Sequence, residues 1–250
     1  MARVINTEYY KGIVDQREFK DQRISAFVYG KAGAGKTKFL GTFPKPFVID
    51  VDGGLLTVAG GDIKSVYLDS QTDLYGTIVN IIQDIKHKIG PFEKGGALSD
   101  RETIAIDSMS VLGANMFATI MEVQKKDTRA AYQYLLSQLT TLTSLFRELK
   151  LYGYNVVATA GEVSKENNQT GITEPVPLIP GSFRDFIAHQ FDQAMWFEVV
   201  VRNGKPTYNA YTLAEKGHAA KERIGLPGKV ENVSFDIMVK TLEQKFKAKD

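Results

Sequence analysis

Ala26-Phe27-Val28-Tyr29-Gly30-Lys31-Ala32-Gly33-Ala34-Gly35-Lys36-Thr37 sets the frame for the rest of the chain. Its first four residues form a short apolar run of the kind that becomes a buried strand. The run passes directly into G-x-x-x-x-G-K-T, the spacing of a phosphate-binding loop between a strand and a helix. Gly30, Gly33 and Gly35 permit a tight turn. In that turn successive backbone N–H groups, those of Lys31, Ala32 and Ala34 among them, face inward at phosphate oxygens. The Lys36 ammonium reaches the β- and γ-phosphates of a nucleoside triphosphate, and the Thr37 hydroxyl is a ligand for Mg²⁺. The helix expected to start at Lys36 adds the positive end of its dipole.

The composition narrows the classes around this loop. The 250 residues fit one α/β domain with insertions, and 43% hydrophobic content supplies a sizeable core. The chain has no cysteine and three histidines, which excludes disulfides and thiolate chemistry and disfavours a transition-metal site. A net charge of +2 decides nothing about nucleic acid; only a local patch does. No apolar run at the N-terminus or elsewhere approaches signal or membrane-span length, so a cytoplasmic protein with no membrane partner is expected.

Outward from the loop, residues 1–23 read as an N-terminal arm, packed on a neighbour or simply a solvated leader. A helix from about Lys36 to Thr42 is ended by Pro44 and Pro46. Phe47-Val48-Ile49-Asp50 is a second buried strand running into Val51-Asp52-Gly53-Gly54. Asp52 stands on the edge where parallel sheets bind ligands, placed to polarise a water, although Asp-Gly-Gly is also good turn chemistry. Ser65 to Leu68 is a third strand. Thr72 to Lys88 is an amphipathic helix capped by Thr72 or Ser70. Thr103-Ile104-Ala105-Ile106-Asp107-Ser108 is an apolar strand ending in an acid, the Walker B pattern, with Asp107 opposite Thr37 across the Mg²⁺.

Residues 109–129 form a helix with a basic end. There Lys125, Lys126 and Arg129 beside Tyr132 either contact DNA or are a solvated terminus. Ala130 to Leu151 is a long helix closed by Gly153. Asn155 to Ala160 is a further core strand, and Val163 to Pro175 is an irregular polar loop on the ligand edge. Ser182 to Gln190 is a short helix. Ala194–Val201 and Thr207–Leu213 form a hairpin about Asn203-Gly204. Lys221 and Arg223, two apart on an extended segment, point the same way, either toward phosphate or as a surface basic turn. Ser234 to Lys247 is an amphipathic helix.

In this order the pieces resemble the RecA-like ATPase core, and more narrowly the phage-borne RecA-core proteins grouped with single-strand annealing proteins of the Sak type. Gly30–Thr37, Phe47–Gly54, Thr103–Ser108, Val156–Glu162, Pro180-Gly181 and Lys221–Gly225 carry the resemblance. It implies a mostly parallel central sheet flanked by helices, with a C-terminal antiparallel hairpin, over residues 24–250. It implies ATP and Mg²⁺ as cofactors, Lys36 and Thr37 on phosphate and metal, and Asp107 as the Walker B acid. Asp52 takes the place of a catalytic carboxylate that is usually Glu, which implies slow hydrolysis. Lys221 and Arg223 match a K-x-R inserted into a neighbour's site. Residues 163–181 correspond to a region that contacts single-stranded DNA. Gly161 and Glu162 depart from the pattern, which has a polar sensor at the end of that strand; Thr159 or Glu162 is the substitute.

The resemblance therefore implies a DNA-stimulated ATPase that assembles as a ring or filament, with nucleotide between subunits. It would promote annealing or strand exchange in phage recombination, in the host cytoplasm and alongside a single-strand-binding protein. Two other classes stay open: a monomeric P-loop kinase or nucleotide switch, and a non-hydrolysing DNA-annealing scaffold. A GTPase is disfavoured because N-K-x-D is absent.

Overall fold

The computed structural model describes residues 23–124, 127–166, 171, 173–214 and 218–247. The N-terminal arm up to residue 22 and the basic pair Lys125 and Lys126 lie outside the described residues. The apolar runs of the sequence become the parallel strands β1 (Ser25–Gly30), β2 (Pro46–Asp50), β3 (Lys64–Tyr67), β4 (Thr103–Asp107), β5 (Asn155–Ala160) and β8 (Gln193–Arg202). β9 (Lys205–Tyr211) and β10 (Lys229–Glu231) complete an eight-stranded sheet in the order β10-β9-β8-β1-β5-β4-β2-β3. Only the pairings of β8 with β9 and of β9 with β10 are antiparallel. Asn203 and Gly204, both with positive φ, make the two-residue turn that the sequence placed there.

β1 and its neighbours are buried on both faces, and their residues alternate between two cores. Phe27, Tyr29, Ile49, Ile106 and Ala158 face one cluster. Val28, Val48, Ala105, Val157 and Met195 face the other. On the first face lie α2 (Leu74–His87), α3 (Met109–Gln124), α4 (Thr128–Glu148) and α5 (Phe183–Gln190), which bury Ile78, Leu112, Leu139 and Ile187. On the second lie α1 (Lys36–Leu40) and α6 (Phe235–Lys247), with Phe39 and Met238 inward. The result is helices on both faces of a mostly parallel sheet.

Two expectations are corrected. Asp73, not Thr72 or Ser70, caps α2; its Oδ1 accepts the Gly76 N–H at 3.1 Å. The polar stretch from Val163 to Pro175 is not an irregular loop. Its described residues form the hairpin β6 (Glu162–Glu166) and β7 (Thr173–Pro177), a separate two-stranded sheet with Ser164 opposite Pro175. Among the described residues no helix is long and apolar enough to cross a membrane.

Candidate nucleotide-binding site

The end of β1 and the start of α1 form the loop. Gly35, at the head of α1, has φ 92°, a left-handed conformation that glycine adopts without strain. Gly30 is needed for a different reason: a Cβ there would stand 2.3 Å from the Phe197 carbonyl oxygen of β8. The Lys36 ammonium donates to the carbonyls of Gly30 and Lys31, each at 2.9 Å, so it lies folded within the loop. Burial lowers its pKa from the usual lysine range, while the charges of Asp107, Asp52 and Glu162 push it back up.

Asp107 closes β4 and is buried. The Thr37 hydroxyl donates to its Oδ2 at 2.9 Å, and the Thr159 hydroxyl donates to its Oδ1. Both contacts follow from strand order. β5 lies between β1 and β4, so Thr159 is its contribution to the gap between loop and acid. Burial raises the Asp107 pKa, the two hydroxyls lower it, and the nearby carboxylates of Asp52 and Asp50 raise it further. A hydroxyl and a carboxylate side by side are a hard, all-oxygen donor pair. They fit Mg²⁺, which takes few protein oxygens and keeps its other positions for water and phosphate.

Asp52 is exposed on the turn after β2, and that turn is tied down from beneath. Asp50 Oδ1 accepts the backbone N–H groups of Asp52 at 3.1 Å and Gly53 at 2.7 Å. The N–H groups of Val51 and Asp52 donate to the Asp107 carbonyl at 2.7 and 3.3 Å. The Asp52 carboxylate is thereby held where its charge acts on both Lys36 and Asp107.

Glu162, met in the sequence as a departure, is joined to the loop. Its side chain is only 6% exposed, its Oε1 lies 3.9 Å from the Lys31 ammonium, and its Oε2 accepts the Trp196 indole N–H at 2.7 Å. The preceding Gly161 donates its N–H to Ser110 Oγ at 2.8 Å. The end of β5 is thus fastened to β8, to α3 and to the phosphate loop at once. The sequence offered no signal for Trp196, because it meets Glu162 only through the pairing of β1 with both β5 and β8.

Lys221 and Arg223 are elsewhere. Lys221 bridges Ala194 at the beginning of β8, and its ammonium donates to the His189 carbonyl at 2.7 Å. Arg223 Nη1 lies 3.5 Å from Asp192 Oδ1, with the side chain 62% exposed. Gln193 pairs with Ala26 and Phe197 with Gly30, so this rim lies about 13 Å down the sheet from the loop. Neither cation joins the phosphate site of its own chain. Arg129 is exposed at the start of α4.

A family model described as an AAA domain matches residues 22–224, a span that contains every element built above from β1 to Arg223. No curated protein matches the chain. With a match over most of its length, a glycine loop at the head of a helix and a buried acid against the loop threonine, the chain belongs to this AAA domain family of P-loop nucleotide-binding ATPases.

Proposed function

We propose that the chain hydrolyses ATP as a head-to-tail oligomer on single-stranded DNA, promoting annealing or strand exchange in phage recombination as the Sak-type proteins it resembles would. The observation that carries the oligomer is the placement of Lys221 and Arg223. They lie on the rim opposite the phosphate loop, too far to serve it, and the Arg223 side chain, paired loosely to Asp192, stays 62% exposed to a neighbour. A head-to-tail contact brings that rim against the loop of the next copy. The hairpin β6–β7 supports the DNA part, because it grows from Glu162 beside the loop.

In this reading Lys36 and the loop N–H groups hold the β- and γ-phosphates, and Thr37 and Asp107 hold Mg²⁺. Mg²⁺ held there would supply positive charge to offset that of the phosphates. Asp52 orients the attacking water, and Arg223 of the adjoining copy stabilises charge on the transferring phosphoryl group.

The test is ATP turnover with and without single-stranded DNA, on a sample whose mass is read by light scattering. DNA-stimulated turnover in an oligomer is expected. Arg223→Ala and Lys36→Ala chains should each be inactive alone. Mixed in equal parts they should recover turnover at about a quarter of their interfaces, those pairing an intact loop with an intact Arg223. A monomer indifferent to DNA, or a mixture that stays inactive, would sink the reading. An oligomer that binds DNA without turnover would favour the scaffold.

A further inference from the structure

A triphosphate in this site has a direction. Asp107 and Asp52 stand on the β4–β2 side of the loop, with Thr37 against Asp107, whereas the Glu162 carboxylate reaches across β1 to Trp196 of β8. The metal and the terminal phosphate therefore belong on that side. The α-phosphate and the nucleoside must leave on the other, across the start of α1 toward β8 and β9.

On that side the chain presents an aromatic ring. Tyr208 of β9 is half-buried against the loop itself: a Cβ built on Gly35 would lie 2.9 Å from its Cδ1. A shallow cleft of about 80 Å³ opens beside it, lined by Gly35, Lys38, Phe39, Phe197, Tyr208 and Asn232. Asn232 is exposed at this cleft and has φ 50°, and its backbone N–H donates to the Tyr208 carbonyl at 2.7 Å. The exposed Lys38 rests its ammonium 5.1 Å from the centre of the ring. A long flexible cation on an aromatic face occupies the place that a flat, electron-poor ring takes by stacking, and gives it up at little cost.

We propose that Tyr208 and Asn232 form the nucleobase subsite, with a purine stacked on the phenol ring and its polar edge read by the Asn232 amide. This rests on the loop binding a triphosphate. The cleft is too small to enclose a base, so one face is stacked and the other stays open. Purines are therefore favoured over pyrimidines, which cover less of the ring. The displaced Lys38 ammonium turns to the α-phosphate.

The experiment compares ATP with inorganic tripolyphosphate, which has the phosphates and no base, by titration calorimetry on the full chain. Tyr208→Ala is expected to weaken ATP about tenfold, the scale of a lost stacking contact, and to leave tripolyphosphate unchanged. Tyr208→Phe should keep both affinities. Asn232→Gly tolerates the left-handed backbone and removes the amide, so it should narrow the preference for ATP over UTP without touching tripolyphosphate. A loss shared equally by ATP and tripolyphosphate would make Tyr208 a prop for the loop and overturn the subsite. So would ATP binding indifferent to both Tyr208→Ala and Asn232→Gly. If tripolyphosphate fails to bind the unmodified chain, or binds Lys36→Ala equally well, the loop assignment itself falls, and the subsite with it.

Discussion

Burial pushes the Asp107 carboxyl above the usual aspartate range, and two hydroxyls only partly oppose this. The sign of the consequence is fixed. Between the ordinary aspartate pKa and the raised folded value, the native chain holds a proton that the unfolded chain has released. Stability is therefore lost as pH rises through that window, and at neutral pH the buried charge is a burden. Asp107→Asn, without nucleotide, should melt higher than the unmodified chain at pH 7 and lose that advantage at pH 4, while its ATP turnover falls at least about a hundredfold. Thermal melts at the two pH values, with a turnover assay, check both halves. Thr159→Val removes one of the two hydroxyls. It should push the Asp107 pKa higher still and lower turnover about tenfold, read from the alkaline shift of the acidic limb of the pH–rate profile.

At the scale of elements, the hairpin β6–β7 is where the proposed DNA response is most directly tested. Ser164 and Pro175 face each other across it, so they can be joined through two glycines without disturbing the pairing nearer the sheet. The shortened chain should keep its basal ATP turnover and lose stimulation by single-stranded DNA. Equal stimulation in both chains would move the DNA contact elsewhere. The same hairpin shows what the sequence conceals. β1, β2, β4 and β5 were legible because strands buried on both faces are apolar throughout, and the β8–β9 turn because Asn-Gly has few other uses. β6 and β7 leave the main sheet, and apart from Pro177 their residues are half-buried or exposed. Their residues are polar without alternation, and two prolines sit in β7, so every local signal read as loop. Lys36, Thr37 and Asp107 were legible as candidates from spacing alone. The meeting of Glu162 with Trp196 was not, because it depends on which strands flank β1, and apolar runs do not announce their neighbours.

Across the whole molecule, desolvated charges of both signs gather at one edge of the sheet, and the exposed guanidinium of Arg223 lies at the other. The first edge is completed by a ligand that brings its own opposite charges. Saturating MgATP at about 100 times its dissociation constant should stabilise the fold by about 2.7 kcal/mol. A melt with and without nucleotide should show this as a clear rise, absent in Lys36→Ala. The second edge answers to salt. If Arg223 acts across an interface as proposed, its field is screened by salt, so raising ionic strength should dissociate the proposed oligomer before it unfolds the subunit.

Trp196 is the only tryptophan in the chain. Its indole N–H is held by Glu162, and Glu162 in turn faces Lys31 of the phosphate loop. The protein thereby carries its own optical probe. When phosphate draws Lys31 away, the field on the indole changes, and its emission should shift in wavelength and intensity without any added dye. Stopped-flow fluorescence of the unlabelled chain would then time the arrival and departure of nucleotide.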